Sequence, residues 1–208
     1  MDLMTLETNR FTPVKSFISN TEVDGTQVLR VVKDPAITEV DEPTFARLND
    51  VEFHNCIIEV QARSRLLVDD DMARGFIGVA FRINENNTAF ECIYLRPANG
   101  RCDDQVRRNR SMQYFSYPDY KFDRFRSECP GKYEAYADIG LDEWIDLRIE
   151  IKGEQAKLYL NNSVRPVLLV NDLKHGGGGK GAIGLWVDVA SEAFFRNLRI
   201  RPFDLRAE

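Results

Sequence analysis

Apolar and polar residues alternate with a period of two throughout this chain, which is the pattern of β-strands with one buried face. The segment HNCIIEVQARSRL (54–66) is typical, because Ile58 and Val60 share one face of the strand while Gln61 and Arg63 share the other. No long segment has the 3.6-residue period of a helix with one apolar face. Many such strands separated by polar turns predict an all-β fold in which two antiparallel sheets pack face to face.

The predicted strands fall into two groups separated by one long irregular insert. They are residues 26–34, 54–66, 73–84, 89–97, 143–153, 155–162, 166–173 and a closing pair within 179–200. Gly153 supplies the turn of the hairpin between the fifth and sixth of these strands. The insert, roughly 98–138, is rich in Arg and Tyr and is expected to be a loop with a short helix after Asp103 or Asp104. A chain of 208 residues with this pattern predicts one sandwich domain over 1–208 rather than two small ones.

The composition argues against partners that are bound mainly through positive charge. The chain has 28 Lys and Arg against 33 Asp and Glu, which gives a formal net charge of −5. Nucleic acids and anionic membranes attract basic surfaces, so neither is an expected partner, and the oligomeric state is left open. No stretch approaches the length of a membrane span, and no N-terminal apolar run resembles a signal peptide. As numbered, the protein is expected to be cytoplasmic; the alternative is a secreted protein whose signal has been removed.

Neither the cysteines nor the histidines form a pattern typical of a metal site. The four cysteines include no C-x-x-C pair and are expected to be reduced thiols, and His54 and His175 lack ligand-like spacing to them. We therefore predict no zinc site and no cofactor. The acidic run 69–71 is interpreted as a charged turn. Its alternative, a Ca²⁺ site, would lack the glycine and the spaced carboxylates of a defined calcium loop.

Several segments resemble a known family in their order along the chain. EWIDLRIEIKGEQAKLYLNN (143–162), a glycine-rich loop and then GAIGLWVDVASEAFFRNLRI (181–200) are similar to the C-terminal half of concanavalin A-like lectin and glucanase jelly rolls. Within these, the chain resembles the laminin-G-like branch near the 3-keto-disaccharide hydrolases, whose middle strands are similar to GFIGVAFRI (75–83) and FECIYLR (90–96). The resemblance covers roughly 50–200 and implies a jelly roll, an architecture shared by lectins, binding modules and hydrolases.

Trp186 is the residue that most directly suggests a ligand. Ile183, Leu185 and Val187 alternate as a core face should, so Trp186 is expected on the other face, where the resembling family usually has glutamine. An aromatic ring on an open face stacks well on a sugar. Trp186 is therefore interpreted either as a sugar-stacking platform or as part of a second packing layer covered by the insert.

Polar side chains on the outward faces of neighbouring strands would complete a carbohydrate site, since sugar hydroxyls need planar hydrogen-bonding groups. The small residues Gly78, Ala80 and Gly184 would leave room for the ligand on those faces. The predicted ligand-binding residues are Gln61, Arg63, Arg82, Glu91, Arg96, Tyr114, Tyr117 and Trp186.

The orientation of the strand FECIYLR determines whether the side chains of Glu91 and Arg96 point toward the ligand or toward the core. If Phe90 and its alternate neighbours pack inward, Glu91 points to the ligand while Arg96 is left on the core side. The insert would supply one wall of the site, formed by Arg96, Arg108, Gln113, Tyr114 and Tyr117. The alternative for the charged members is a set of cross-strand ion pairs, each contributing less than about 1 kcal/mol.

Carboxylates that could support catalysis are sparse. Retaining glucanases of this architecture use an E-x-D-x-x-E strand, in which alternate carboxylates share one face. The segment EVDEPT (39–44) has the first two members but a threonine in place of the last glutamate. If the chain is an enzyme, the resemblance implies a glycoside or keto-sugar substrate, with Glu91 as general acid or base and Asp188 as its partner.

Three hypotheses for function remain. The first is a jelly-roll domain that holds an oligosaccharide or other glycan on the concave face of a sheet. The second is a glycoside or 3-keto-sugar hydrolase. The third is a laminin-G-like protein-interaction module whose contact surface is the insert.

Overall fold

Two antiparallel sheets packed face to face form the fold in the computed structural model of the chain, which describes residues 4–203. In chain order the strands are β1 (Phe11–Val14), β2 (Ser16–Val23), β3 (Thr26–Lys33), β4 (Phe45–Leu48), β5 (Cys56–Leu66), β6 (Ile77–Ile83), β7 (Phe90–Leu95), β8 (Met112–Tyr117), β9 (Glu134–Ala135), β10 (Ile145–Lys152), β11 (Gln155–Leu160), β12 (Leu168–Val170), β13 (Ala182–Val187) and β14 (Ser191–Pro202). The helices are α1 (Pro97–Gly100), α2 (Gln105–Arg108) and α3 (Phe122–Glu128), and Thr8–Arg10 forms a 3₁₀ turn.

Each sheet mixes strands from both halves of the sequence. The first sheet has the order β1-β4-β13-β6-β7-β8-β9, and the second has the order β12-β11-β10-β5-β14-β3-β2. The chain changes sheet repeatedly, since β4 belongs to the first sheet, β5 to the second and β6 to the first again. The two-sheet antiparallel jelly-roll sandwich predicted from the period-two pattern is confirmed.

The main core lies between the two sheets and uses the predicted alternation. Ile58 on β5 and Ile149 on β10 face Val79 on β6 and Leu185 on β13, and all four side chains are fully buried. Burial of a side chain of this size contributes roughly 1.5–3 kcal/mol. These alternating positions therefore fix which face of each sheet is turned inward.

The first sheet also buries its outer face, which the alternation alone does not predict. Every residue of β6, β7 and β13 is buried. A separate cluster of aromatic rings covers the outer face, formed mainly by Phe45, Phe90, Tyr94, Phe115 and Trp186. We call this cluster the outer aromatic layer.

Two glycines of the first sheet make room for the outer aromatic layer. A Cβ atom on Gly78 would lie 2.6 Å from the Cβ atom of Tyr94, and one on Gly184 would lie 2.9 Å from Cγ of Phe45. Contacts this short require the neighbouring strand backbone, at Gly78, or the neighbouring ring, at Gly184, to move. The space that these glycines were expected to leave for a ligand is thus filled by protein side chains.

A bulge at Arg82 interrupts the alternation of β6. The φ angle of Arg82 is +53°, and the pairing of β6 with β13 shifts register between Ala182 and Gly184. The extra residue of a β-bulge re-aims the side chains around it. Ile83 consequently joins the outer aromatic layer instead of the core face to which strict alternation assigned it.

The insert at 98–138 is more regular than predicted. It contains β8, which pairs with β7 along the whole length of both strands. The predicted short helix is present as α2, where Oδ1 of Asp104 accepts hydrogen bonds from the N–H groups of Val106 (2.8 Å) and Arg107 (3.1 Å). The sequence MQYFSY of β8 shows no apolar and polar alternation, because nearly all of its residues are buried on both faces of the sheet.

The cysteines and the acidic turn at 69–71 form no disulfide and no metal-binding group within residues 4–203. Cys56 and Cys92 are buried free cysteines, and the other two are half-buried and also free. At the acidic turn, the carboxylate of Asp70 accepts a 2.6 Å hydrogen bond from the N–H of Met72. Within residues 4–203, no three or more His, Cys, Asp and Glu side chains are grouped so that they could hold a metal ion. In the same part of the chain, no helix has the length and apolar character needed to cross a membrane.

Candidate functional site

A cavity of about 220 Å³ opens on the outer face of the first sheet. Tyr94 of β7 and Asp188, just after β13, line it, and the segment before β4 contributes Asp41. Phe76 and Phe122 add ring surface from the start of β6 and the start of α3. Five arginines also line the cavity, namely Arg74, Arg96, Arg107, Arg110 and Arg126. The outer-face cavity therefore combines aromatic rings, two carboxylates and several guanidinium groups.

Three donors hold the carboxylate of Asp188. Its Oδ1 accepts hydrogen bonds from Nζ of Lys33 (2.6 Å) and the N–H of Val189 (2.8 Å), and its Oδ2 accepts one from the N–H of Asp41 (2.9 Å). Both side chains of the Lys33–Asp188 ion pair are almost completely buried. A buried pair is tolerated when further hydrogen bonds satisfy its charges, as here. Asp188 thus fixes the segment that carries Asp41 against the sheet.

Asp41 is a buried carboxylic acid at the cavity. It is 2 % exposed, and its Oδ2 accepts a 2.8 Å hydrogen bond from the N–H of Phe122. Burial, together with the nearby charge of Asp188, raises the pKa of Asp41 to about 7. Its carboxyl is therefore close to half protonated at neutral pH, and within residues 4–203 no second protein donor bonds to it. It is placed to exchange a hydrogen bond or a proton with a ligand.

One carboxylate partly neutralises three of the five arginines. The Glu134 oxygens lie 2.8 Å from Arg126, 3.2 Å from Arg96 and 3.6 Å from Arg110. Glu134 is itself almost fully buried, since its side chain is 7 % exposed. The group therefore keeps more positive than negative charge beside the cavity.

Arg74 and Arg107 form no ion pair within 4 Å in the part of the chain that the structure describes, although the more distant charge of Asp71 acts on Arg74. Nη1 of Arg74 donates to the Ala73 carbonyl (2.7 Å), and Nε of Arg107 donates to Oδ1 of Asn99 (3.3 Å). Burial and the positive charges of Arg107 and Arg96 lower the pKa of Arg74. Most of the donor capacity of these two guanidinium groups is left for a ligand or for water.

Phe76 and Tyr94 give the cavity aromatic surface. Their ring centroids are 6.1 Å apart, and Phe76 is partly exposed whereas Tyr94 is 1 % exposed. The Tyr94 hydroxyl accepts a hydrogen bond from Nη2 of Arg96, which also donates to Oε1 of Gln113. Of these two rings, Phe76 is therefore the one with surface left for contact with a ligand.

Trp186 lies on the outer face of the first sheet, as its place in the alternation predicts, but it has no free surface. It is 0 % exposed, its Nε1–H donates a 2.8 Å hydrogen bond to the Glu42 carbonyl, and its ring packs on Tyr94 and Phe115. The segment that carries Glu42 covers it. The stacking-platform interpretation is therefore corrected, and Trp186 belongs to a second packing layer.

Arg82 forms hydrogen bonds to two loops and does not line the cavity. Its Nη1 donates to the Gly176 carbonyl and its Nη2 to the Gly153 carbonyl, both at 2.7 Å. These bonds connect the glycine-rich loop to the turn between β10 and β11. The prediction that Arg82 faces a ligand is corrected, because the bulge redirects its side chain and leaves it 4 % exposed.

Glu91 and Tyr114 lie on the core face of their strands, because Tyr94 and its alternate neighbours on β7 face outward. Oε2 of Glu91 accepts a hydrogen bond from the Tyr114 hydroxyl (2.6 Å), and Oε1 accepts one from the N–H of His175 (2.8 Å). The Tyr114 hydroxyl in turn accepts one from the N–H of Lys174 (2.9 Å). The position predicted for both residues on the ligand side is therefore wrong, since they anchor the start of the glycine-rich loop, while the catalytic role of Glu91 stays a prediction.

The structure brings only part of the predicted wall to the cavity. Arg96 lines the cavity on the outward side, contrary to the core-side position that an outward Glu91 would have required. Tyr117 stacks on Phe90 in the outer aromatic layer, with ring centroids 5.1 Å apart. Arg108 lies over the ring of Tyr136 and is not part of the cavity lining. Of this wall, Arg96 alone reaches the cavity, with Gln113 directly behind it.

Gln61 and Arg63 lie on the outer face of the second sheet, on the opposite side of the sandwich from Trp186. A groove of about 510 Å³ runs over that face and includes Gln61. The Gln61 amide donates to Oδ1 of Asp146 (2.6 Å) and accepts from Nε of Arg196 (2.7 Å), and Arg63 forms ion pairs with two carboxylates. The single ligand face predicted for Gln61, Arg63 and Trp186 is therefore wrong, because the residues belong to different sheets.

The cavity residues that were missing from the predicted set include Asp41, Arg74 and Phe76. Asp41 had a signal, since it belongs to the segment EVDEPT that was compared with a glucanase motif. That segment forms no strand, and Asp41 has a φ angle of +53°. Arg74 and Phe76 carry no local pattern that distinguishes them from other residues just before a strand.

The sequence matches one family of domains over almost its whole length. Residues 9–201 match the family described as the 3-keto-alpha-glucoside-1,2-lyase-like domain. The matched range includes both sheets and every residue of the cavity. No curated protein matches the chain in sequence.

Solved structures with the same architecture include several proteins of very different sequence. The carbohydrate-binding module CBM66 from Bacillus subtilis superimposes with a TM-score of 0.63 and 16% identity, over 96% of this chain and 99% of that one. A putative glycosyl hydrolase from Parabacteroides distasonis has a TM-score of 0.51 and 12% identity, over 89% and 83%. A protein of unknown function with a galectin-like fold from Bacillus subtilis has a TM-score of 0.51 and 10% identity, over 92% and 97%. At these identities the likeness shows the jelly-roll fold.

Proposed function

Because the chain belongs to the 3-keto-alpha-glucoside-1,2-lyase-like domain family, we propose that it binds a saccharide, and that the outer-face cavity is the binding site. The observation that carries this proposal is the lining of the cavity. The exposed part of the Phe76 ring lies beside guanidinium groups that form no ion pair within residues 4–203. The similarity in fold to a carbohydrate-binding module supports it.

The cavity has the two kinds of surface that a sugar needs. A pyranose presents an apolar face of C–H groups, which packs on an aromatic ring, and a rim of hydroxyls, which bond to planar polar groups. Phe76 supplies the ring, while Arg74, Asn99 and Asp41 supply hydrogen-bonding groups. The volume of about 220 Å³ lies below the roughly 300–1,000 Å³ of sites for drug-sized ligands, so the cavity fits one sugar ring, with further rings outside it.

The groove on the second sheet is larger but less suited to a ligand. Its polar groups already bond to each other, as Gln61 does with Asp146. Its aromatic ring, Tyr159, is covered by the guanidinium of Arg148, which lies 3.9 Å from the ring centroid. A ligand there would have to break these contacts, whereas the outer-face cavity has donors in reserve. The protein-interaction hypothesis stays a prediction.

The test is a thermal-shift and calorimetry screen of wild type against mono- and oligosaccharides, followed by Phe76→Ala. We expect a saccharide that stabilises the wild type and binds at least tenfold more weakly to Phe76→Ala, at an unchanged folded circular dichroism spectrum. Phe17→Ala is the matched control, because Phe17 is an exposed ring outside the cavity. A saccharide that binds Phe76→Ala as tightly as wild type would exclude the outer-face cavity as the site. If no saccharide stabilises the wild type, the proposal as a whole fails.

Asp41 supports a second candidate function at the same cavity, the elimination named in the description of the family. In that reaction a base removes the proton on C2, beside the 3-keto group, the C1–O bond breaks with formation of a C1=C2 double bond, and the released oxygen takes up a proton. A base works best when its pKa lies near the operating pH, and the pKa of Asp41 is about 7. The two carboxylates at the cavity are then Asp41 as base and Asp188 as a positioning residue held by Lys33.

Turnover distinguishes this second candidate from binding alone. A 3-keto-α-glucoside incubated with wild type should lose its aglycone, and Asp41→Asn should lose this activity while it still binds the sugar. Phe17→Ala again serves as the control. Binding without turnover in the wild type would leave the saccharide-binding proposal intact and reject the enzymatic one.

A further inference from the structure

The outer-face cavity carries an excess of positive charge in a protein that is acidic as a whole. Five arginines line it, whereas its carboxylates are Asp41 and Asp188, with Glu134 directly behind them. Asp188 is already paired with Lys33. The chain outside this region is correspondingly more acidic, since the formal net charge is −5.

The excess is concentrated at the two arginines that form no ion pair among the described residues. The hydrogen bonds of Arg74 and Arg107 engage one nitrogen each, and the acceptors are an uncharged carbonyl and an uncharged amide. The two guanidinium groups repel each other, which contributes to the lowered pKa of Arg74. A ligand with a negative charge between them would remove that repulsion.

Arginine also has a geometric preference. Its planar fork of N–H groups matches two oxygens on one centre, so it binds a carboxylate or a sulfate in a bidentate way. A neutral hydroxyl offers one oxygen and uses this fork poorly. The partly enclosed cavity screens charges less than open solvent does, so an ion pair formed there is stronger than one on the surface.

We propose that the saccharide bound at this site is acidic, carrying a carboxylate or a sulfate group that sits between Arg74 and Arg107. This inference rests on the proposed saccharide-binding function and adds the chemical class of the ligand. The anionic group lies between these two arginines, and the ring to which it is attached packs on Phe76.

The experiment compares charged and neutral forms of the same sugar by isothermal titration calorimetry. The probes are trigalacturonic acid, its methyl ester, in which the carboxylates are neutral, and the sulfated disaccharide neocarrabiose 4-sulfate, which carries a sulfate and no carboxylate and so separates the two sources. We expect trigalacturonic acid or the sulfated disaccharide to bind at least tenfold more tightly than the methyl ester. We also expect its affinity to fall as NaCl rises from 50 to 500 mM.

Two variants test whether these two arginines bind the anionic group of the ligand. Arg74→Gln and Arg107→Gln should each weaken the acidic probe about tenfold or more, because a hydrogen bond to a charged group is lost, and each should weaken the acidic probe by a larger factor than it weakens a neutral sugar. Arg165→Gln, at an exposed arginine outside the cavity, is the matched control and should change neither affinity. The melting temperature of each variant reports whether it is folded.

The outcomes separate this inference from the function on which it rests. Equal affinity for the acid and its methyl ester, or an acidic probe that binds the two variants like wild type, overturns the inference. If a neutral sugar binds while neither acidic probe does, the inference fails and the saccharide-binding function stands. If no saccharide of either class binds the wild type, the proposed function itself fails.

Discussion

Nζ of Lys33 lies 2.6 Å from Oδ1 of Asp188, in an ion pair whose side chains are 4% and 2% exposed. Lys33 ends a strand of the second sheet, while Asp188 follows a strand of the first. The pair therefore joins the two sheets at the rim of the outer-face cavity. Through the N–H of Asp41, Asp188 also holds the segment that crosses the outer aromatic layer.

Removal of either member of this pair should destabilise the fold strongly. Lys33→Met and Asp188→Asn should each lower the free energy of unfolding by about 3–5 kcal/mol, because the remaining partner is left buried without its counter-charge. The double variant should lose less than the sum of the two. Urea unfolding measures all three. Arg30→Met is the control, since Arg30 on the same strand pairs with Glu192 in a more exposed site and should cost less than about 1 kcal/mol. A loss as small as that control for Lys33→Met would contradict the structural role.

Substitution of Trp186 should affect stability rather than sugar binding. Trp186→Ala removes a fully buried ring from the outer aromatic layer and should cost about 3–5 kcal/mol. Trp186→Phe keeps most of the packing, should cost less, and should leave the affinity for a saccharide within about twofold of wild type. Thermal unfolding and calorimetry test the two variants. Trp144→Ala, at the partly buried second tryptophan, is the comparison and should cost less than Trp186→Ala. A folded Trp186→Phe that has lost saccharide binding would restore the stacking interpretation.

Stability should fall as the pH rises through the range set by Asp41. The pKa of Asp41 is raised from 3.8 to about 7 in the folded protein. Between about pH 4 and pH 7 the folded protein therefore keeps a proton that the unfolded chain has lost. Its free energy of unfolding should decrease with rising pH by up to about 1.4 kcal/mol per pH unit, the decrease should weaken around pH 7, and this contribution should be constant above about pH 8.

Asp41→Asn isolates the effect of that proton. The charged groups facing Asp41 are Asp188, Arg96 and Lys121, and they remain in the variant. Chemical unfolding of Asp41→Asn between pH 5 and pH 8 should show a flatter profile than wild type. Parallel profiles would mean that Asp41 is ionised throughout this range.

Glu91 should prove to be a structural anchor. Glu91→Ala leaves the Tyr114 hydroxyl and the His175 N–H without their acceptor, and each unsatisfied buried group costs about 1–3 kcal/mol. Hydrogen exchange and limited proteolysis should show earlier opening of the glycine-rich loop at 174–179, while saccharide affinity changes little. Glu85→Ala, at an exposed turn, is the control. Loss of turnover without loss of stability would instead support the catalytic role that the sequence suggested for Glu91.

The period-two alternation was sufficient to predict the strands that are buried on one face. For β5 and β10 every predicted core residue is buried between the sheets, because alternation reports burial directly when the other face is polar. The same reasoning gave no signal for β8, whose two faces are both covered. It also failed beyond Arg82, because a bulge changes the facing of later residues without changing the composition.

The sequence by itself determined the all-β class, the hairpin between β10 and β11, the short helix after Asp104 and the facing of Trp186, because each depends on neighbours along the chain. Only the tertiary structure decided what covers a face once it points outward. The crossing segment that carries Glu42 buries Trp186, and the same segment brings Asp41 to Asp188, which lies 147 residues away in the chain. Such long-range contacts depend on how two sheets and a loop pack together, and no local pattern of residues records them.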